Sequence, residues 1–305
     1  MYMNRITVSS LSPPLTTMTS ATVGAQLPAR TVAFTTPSHY ADRLAAVLTL
    51  HGHAPLWIPT LTVSLTPDNL RPHLLPSTFP SFTAIAFPSR AAIASFSSAV
   101  SAAASFPLLP TSHSHPLTLS ALGNDSDLLT PSLLSLISPN ANLIDLLIPT
   151  VPSPDGLIDS LGNGCGSKLL LPAPKVVGIS EPPVVPDFVM GLTRNSWEVV
   201  RADAYETRWL GHGCAEAMVR REGWLDAVVF TSSGEVEGLL KGLQELGWDW
   251  EMVRRRWPGM VVAAHGPVTA KGAERLGVRV DVVGERFGSF DGVVEGLNRR
   301  WKESP

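Results

Sequence analysis

Val228-Val229-Phe230-Thr231-Ser232-Ser233-Gly234 is a short apolar run, then a cluster of hydroxyls and a glycine, and the residues after it to Leu246 have helical spacing. The phrase reads as a buried strand running straight into a helix N-terminus, where hydroxyls cap free N–H groups and the helix dipole favours an anion. It recurs as Val32-Ala33-Phe34-Thr35-Thr36-Pro37, as Ile85-Ala86-Phe87-Pro88-Ser89-Arg90, and as Val261 to Thr269, which ends Gly266-Pro267-Val268-Thr269. Several such ends on one molecule imply a ligand with many carboxylates.

Working outward, Val32 to Phe34 reads as a strand, and Tyr40, Leu44, Val47 and Leu48 as one face of a helix. His51-Gly52-His53 stops that helix before a strand at Leu56 to Ile58, which makes one βαβ unit. A second unit runs from Phe82 to Phe87 into an Ala/Ser-rich helix, Ala91 to Ala104. A strand at Leu117 to Leu122 then leads through Gly123-Asn124-Asp125-Ser126 into a helix ending about Ile137. Phe106 to Pro116 reads as a surface loop. Further on come a short helix from Gly156 to Leu161, a strand at Lys168 to Pro172, a helix at Asp187 to Arg194 and an extended stretch at Val199 to Thr207. The C-terminal part alternates helix from Gly213 to about Gly223, strand Asp226 to Phe230, helix Gly234 to Leu246, strand Met260 to Ala264, helix Thr269 to Leu276, strand Val278 to Val283 and helix Phe290 to Trp301. The alternation predicts parallel sheets with helices on both faces, and about eight to ten strands suit two sheets better than one.

A length of 305 residues with 44% hydrophobic content is enough for two cores. The net charge of −3, without a cluster of Lys and Arg, argues against a nucleic-acid partner. The longest apolar stretches, such as Leu143 to Ile148, fall far short of the roughly 20 residues of a membrane span, so none is expected. Two cysteines, Cys165 and Cys214, make neither a disulfide framework nor a zinc signature. The first acidic residue is Asp42; residues 1–30 are Ser-rich and acid-free, with Arg5 and Arg30. They read either as a plastid transit peptide, which would place the protein in the chloroplast stroma, or as a disordered tail of a cytoplasmic protein.

Taken in order, Thr36-Pro37, Phe87-Pro88-Ser89-Arg90, Leu122-Gly123-Asn124, Ala204-Tyr205-Glu206-Thr207, Asp226 to Ser233 and Gly266-Pro267-Val268-Thr269-Ala270 resemble the uroporphyrinogen-III synthase family over about residues 31 to 301. The closing Phe287-Gly288-Ser289-Phe290-Asp291-Gly292-Val293-Val294 resembles plant members in particular. The resemblance implies an α/β fold of two flavodoxin-like parallel-sheet domains joined by a two-stranded linker. Residues 31–60 and 208–301 would form one discontinuous domain, and 61–207 an inserted one, with crossings near Leu56 to Val63 and Val199 to Thr207. The ligand would lie in the cleft between them.

The implied activity is a lyase of haem and chlorophyll biosynthesis. It takes hydroxide from the linear tetrapyrrole hydroxymethylbilane, passes through a spiro intermediate that inverts the last pyrrole ring, and closes the macrocycle. The free bilane closes by itself without inversion, so the enzyme's task is to hold one geometry and stabilise one cationic path. No cofactor and no metal are implied, and a monomer is expected. Tyr205 matches the tyrosine for which the family offers a role, giving a proton or hydrogen bond to the departing hydroxyl; an ordinary aromatic at a domain junction is the alternative. Substrate-binding residues carried over are Thr36, Ser89, Gly123, Asn124, Ser126, Ser232, Ser233, Gly266 and Thr269, several of which would also cap helices. The chain departs from the family at Thr36, where many members have Arg, and at Pro88, which interrupts a common Phe-Thr-Ser. Losing that guanidinium removes bidentate carboxylate recognition. A non-catalytic paralogue that binds a tetrapyrrole or another polycarboxylate is therefore the alternative function.

Other features carry blander readings. His51 and His53 suit a helix C-terminus better than a metal, and His113 and His115 have no neighbouring ligands to complete a site. His265 is read as a structural histidine, with a cleft-facing position as the alternative. Nothing in the sequence places an orienting group beside Cys214 and His212. Trp248, Trp250 and Trp257 around Arg254 to Arg256 are explained by helix packing.

Overall fold

The computed structural model describes residues 29–103, 107–113, 115–286 and 289–303. The N-terminal segment up to residue 28, residue 104 at the expected end of the Ala/Ser-rich helix, and Phe287 and Gly288 of the closing phrase lie outside them.

In chain order the elements are β1 (Thr31–Phe34), α1 (Ser38–Leu50), β2 (Ala54–Trp57), β3 (Leu61–Leu65), β4 (Phe82–Phe87), α2 (Arg90–Ser101), β5 (Leu117–Ala121), α3 (Pro131–Ile137), β6 (Ile144–Leu147), α4 (Pro154–Leu161) and β7 (Lys168–Val177). There follow α5 (Val184–Arg194), β8 (Glu198–Trp209), α6 (Gly213–Val219), β9 (Ala227–Phe230), α7 (Ser233–Glu245), α8 (Trp250–Arg256), β10 (Val261–Ala264), α9 (Pro267–Arg275), β11 (Val282–Val283) and α10 (Asp291–Glu303). They build two sheets. One has the order β11-β10-β9-β1-β2 and is parallel throughout. The other has the order β3-β8-β7-β4-β5-β6 and is parallel except at its edge, where β3 runs antiparallel to β8 from Leu61↔Trp209 to Leu65↔Tyr205. The five-stranded sheet thus draws on residues 31–57 and 227–283, and the six-stranded sheet on 61–209.

Continuous apolar strands follow from burial on both faces, because alternate side chains point to opposite sides. Ala33, Val228, Phe230 and Val262 pack under α6 to α9, while Val32, Phe34, Val229 and Ala263 pack under α1 and α10. In the six-stranded lobe, Ile85 and Phe87 face α2 and α3, and Ala84 and Ala86 face α4 and α5. Phe34, Phe87, Phe230 and Trp257 are fully buried, and each large side chain contributes roughly 1.5 to 3 kcal/mol relative to exposure.

Several boundaries differ from the sequence reading, each for a local reason. The helix expected from Gly123 to Ile137 is two pieces: a 3-10 helix at Gly123–Leu128, then α3, which restarts where Thr130 Oγ1 accepts from Leu133 N (3.3 Å) and Pro131 takes the first position. The strand at Lys168 continues through Pro172 and Pro174 to Val177, because a register shift between Ala173 and Pro174 accommodates the missing N–H. The last strand is only Val282–Val283, since the Val278 N–H is taken by Ala273 O at the turn ending α9 (2.9 Å). The first crossing begins at Leu61, later than Leu56, because β2 still pairs with β1 through Trp57. Strand β6 lies within Leu143 to Ile148, a stretch too short to carry a periodicity of its own.

Candidate active site

In a parallel sheet every strand ends on the same side, so the loops after the strands gather at one edge. Here the two edges face one another. A cavity of about 630 Å³ is lined from the five-stranded lobe by Tyr40, Arg43, Thr231, His265 and Phe290, and from the six-stranded lobe by Arg90, Gly123, Asn124 and Asp125. A smaller cavity of about 210 Å³ is lined by Tyr205 and Thr207 of β8 together with Ser232, Ser233 and Thr269 at the starts of α7 and α9.

Tyr205 is 8% exposed, and Ser89 Oγ donates to its hydroxyl at 3.0 Å. Burial pushes its pKa up to about 12, against a smaller opposing effect of the Ser89 bond. The phenol therefore keeps its proton across the physiological range, and with Ser89 filling an acceptor site its O–H remains a donor. Ser89 also caps α2, accepting from Ala92 N at 3.3 Å.

The other expected residues divide into two groups. Gly123 and Asn124 line the larger cavity; Ser232, Ser233 and Thr269 line the smaller. Gly123 has φ +48°, and a Cβ there would come within 3.4 Å of Pro152. Thr36, Ser126 and Gly266 line neither cavity. Thr36 is fully buried, its hydroxyl 3.2 Å from Thr231 Oγ1, and Ser126 Oγ turns back onto Gly123 O at 2.7 Å. Gly266 is the buried N-cap of α9, where Thr269 Oγ1 donates to Thr231 O at 2.9 Å.

Glu235, which sequence reasoning passed over, organises the five-stranded lobe's side of the cleft. Fully buried, its carboxylate accepts from Thr35 Oγ1 (2.7 Å), Thr231 N (2.8 Å), Thr231 Oγ1 and Ser232 Oγ (3.3 Å), while Ser232 Oγ accepts from Glu235 N. The signal was present, because Ser232-Ser233-Gly234-Glu235 has capping-box spacing. The network ties the loop after β1 to the loop after β9. Burial raises the Glu235 pKa, with the four donors opposing it.

Several of the features set aside above are accounted for by packing. Asn298 of α10 donates from Nδ2 to His51 Nδ1 (3.0 Å), and its Oδ1 lies 2.9 Å from His53 Nε2, so both histidines dock α1 onto α10. Cys214 is buried, with its thiol pushed up to about 11 by desolvation, unlike an activated nucleophile. The Arg256 guanidinium lies 4.9 Å from the Trp257 ring centroid and donates to Val219 O and Arg221 O. His265 faces the cavity and packs on Phe290 at 5.1 Å between centroids. Among the described residues no group of histidines, cysteines and carboxylates is arranged to hold a metal, and no helix is long and apolar enough to cross a membrane.

The family model for uroporphyrinogen-III synthase HemD matches residues 141–293, half of the chain. No curated protein sequence matches significantly. Among solved structures, a mutant uroporphyrinogen III synthase from the extremely thermophilic bacterium Thermus thermophilus superposes with a TM-score of 0.59 at 16% identity, covering 90% of this chain and 100% of that one. Uroporphyrinogen-III synthetase from Helicobacter pylori aligns over 90% of this chain and 100% of its own at 12% identity, with a TM-score of 0.46. The first of these shares the fold.

Proposed function

The chain belongs to the uroporphyrinogen-III synthase family, a family of cyclising lyases in tetrapyrrole biosynthesis, and on that premise we propose how this cleft carries out the reaction. Tyr205 donates its hydrogen bond to the departing hydroxyl of hydroxymethylbilane, assisting loss of water and formation of the cationic terminal ring. The carrying observation is a buried phenol held protonated and oriented by Ser89, at the wall shared by both lobes. The helix starts at Ser232 and Thr269 and the backbone of Gly123 and Asn124 hold the substrate carboxylates, each end worth roughly 0.3 to 1 kcal/mol. Excluding water and fixing the last ring favours attack at the inverted position over direct closure.

The test is incubation with freshly generated hydroxymethylbilane followed by separation of the uroporphyrin I and III isomers. The expected result is type III in excess of the spontaneous background. Tyr205→Phe lowers kcat about tenfold to a hundredfold, below the usual contribution of a general acid because this hydroxide also leaves unaided. Type I product alone, at the uncatalysed rate, would move the protein to the binding-protein alternative.

Residues 31–60 with 208–301 and residues 61–207 are the two domains in this proposal, a division supported by the membership of the two sheets. We place the protein in the plastid stroma as a monomer. The acid-free, Ser-rich composition of residues 1–30 supports the first, and the second rests on one chain carrying every cleft residue named. Import of a fluorescent fusion into isolated chloroplasts and light scattering of the purified protein test them.

A further inference from the structure

Arg43 and Arg90 enter the larger cavity from opposite lobes, one from α1 and the other as the first residue of α2. Arg90 Nη1 lies 3.4 Å from Asp125 Oδ1 and 3.5 Å from Asn124 O. The Arg43 guanidinium sits 5.6 Å from the Phe290 ring centroid, and among the described residues no carboxylate lies within ion-pair distance of it. Its charge nevertheless reaches Asp125: burial raises that carboxyl, and Arg90 first and Arg43 second oppose the rise. The cluster therefore carries two guanidinium groups and one partly buried carboxylate, with a cavity beside them.

We propose that Arg43 and Arg90 form a two-sided clamp for one substrate carboxylate, and that Asp125 is an internal carboxylate competing for the same pair. A guanidinium presents a planar fork of donors that matches a carboxylate. Arg43 supplies from within α1 the guanidinium that Thr36 does not provide in the loop before that helix. Asp125 keeps Arg90 aimed into the cavity and lets the substrate exchange one carboxylate for another, which limits the desolvation cost of binding.

This inference rests on the synthase reading for its substrate, so the test has two arms on the full chain. One measures KM and the type III fraction with hydroxymethylbilane; the other measures affinity for uroporphyrin III, the stable octacarboxylate, by fluorescence. Arg43→Ala raises KM and weakens uroporphyrin binding roughly tenfold to a hundredfold, the range expected for a hydrogen bond between charged groups. Arg43→Lys, with a point charge and no fork, restores less than half of that loss on a logarithmic scale. Asp125→Asn tightens uroporphyrin binding by about threefold or more as the competitor is removed. Circular dichroism checks that the variants are folded. Arg43→Ala within twofold of wild type in both arms, or Asp125→Asn weakening uroporphyrin binding as much as Arg43→Ala, overturns the clamp. Should the wild type yield only type I while Arg43→Ala still weakens uroporphyrin, the clamp stands and the catalytic reading falls.

Discussion

Glu235 shows how much one buried side chain can settle. Its carboxyl group is surrounded by donors from two loops that are about 200 positions apart in sequence, so replacing one of its acceptor oxygens by an amide nitrogen leaves buried donors poorly matched. Glu235→Gln keeps the size and turns an NH2 toward some of those donors. The expected cost is about 1 to 3 kcal/mol in urea unfolding at neutral pH. The sign of the pH dependence follows from the raised folded-state pKa. Such a group contributes stability that is fully present below its unfolded value of 4.5 and is lost as pH rises through the folded value. The gap in stability between wild type and Glu235→Gln is therefore widest near pH 4.5 and narrows toward neutrality; a gap that widens with pH would contradict this account.

Helix α9 lies against the start of α7 because Gly272 has no side chain there: a Cβ would stand 2.3 Å from Ser233 Cβ. Gly272→Ala must push the two helix starts apart. Although alanine favours a helix by about 1 kcal/mol, the expected net effect is a destabilisation of about 1 to 3 kcal/mol by overpacking, together with a higher KM, because Ser232, Ser233 and Thr269 all ride on those two ends. Thermal melts and steady-state kinetics measure the two effects. Elements such as these were legible where apolar runs ended in hydroxyl clusters: β1, β4, β9 and β10 and the helices after them follow directly from that phrase. Strand β6 was not legible, since four residues give no periodicity. The extension of β7 past two prolines depends on a bulge that only the partner strand's register reveals. Within the cleft, Tyr205, Ser232 and Thr269 stand in motifs, whereas Tyr40 reads only as part of one face of α1 and Arg43 belongs to no motif. Their place in the cavity depends on how α1 sits against residues about 250 positions later in sequence.

The two lobes are joined by more than the pair of crossings. At the end of β8, Trp209 donates from Nε1 to Gly238 O of α7 (2.9 Å), and the Lys241 ammonium lies 4.3 Å from its ring centroid while donating to Gly178 O. Ser180 N adds a bond to Glu237 Oε1 at 2.8 Å. Trp209→Ala removes the centre of this clamp, and the expected outcome in calorimetry is one cooperative transition splitting into two, each lobe melting alone. A single transition merely shifted downward would mean that the antiparallel pairing of β3 with β8 suffices for coupling. The order of strands also bears on how the molecule is born. Strand β1 sits between β2 and β9, so it cannot acquire its second neighbour until residue 227 is available, whereas the six-stranded sheet is complete by residue 209. Whether the polypeptide leaves a ribosome or threads a membrane N-terminus first, the inserted lobe is the first able to fold. The earliest segment must wait beside it with its apolar strands unsheltered, which makes this the interval when a chaperone has most to protect.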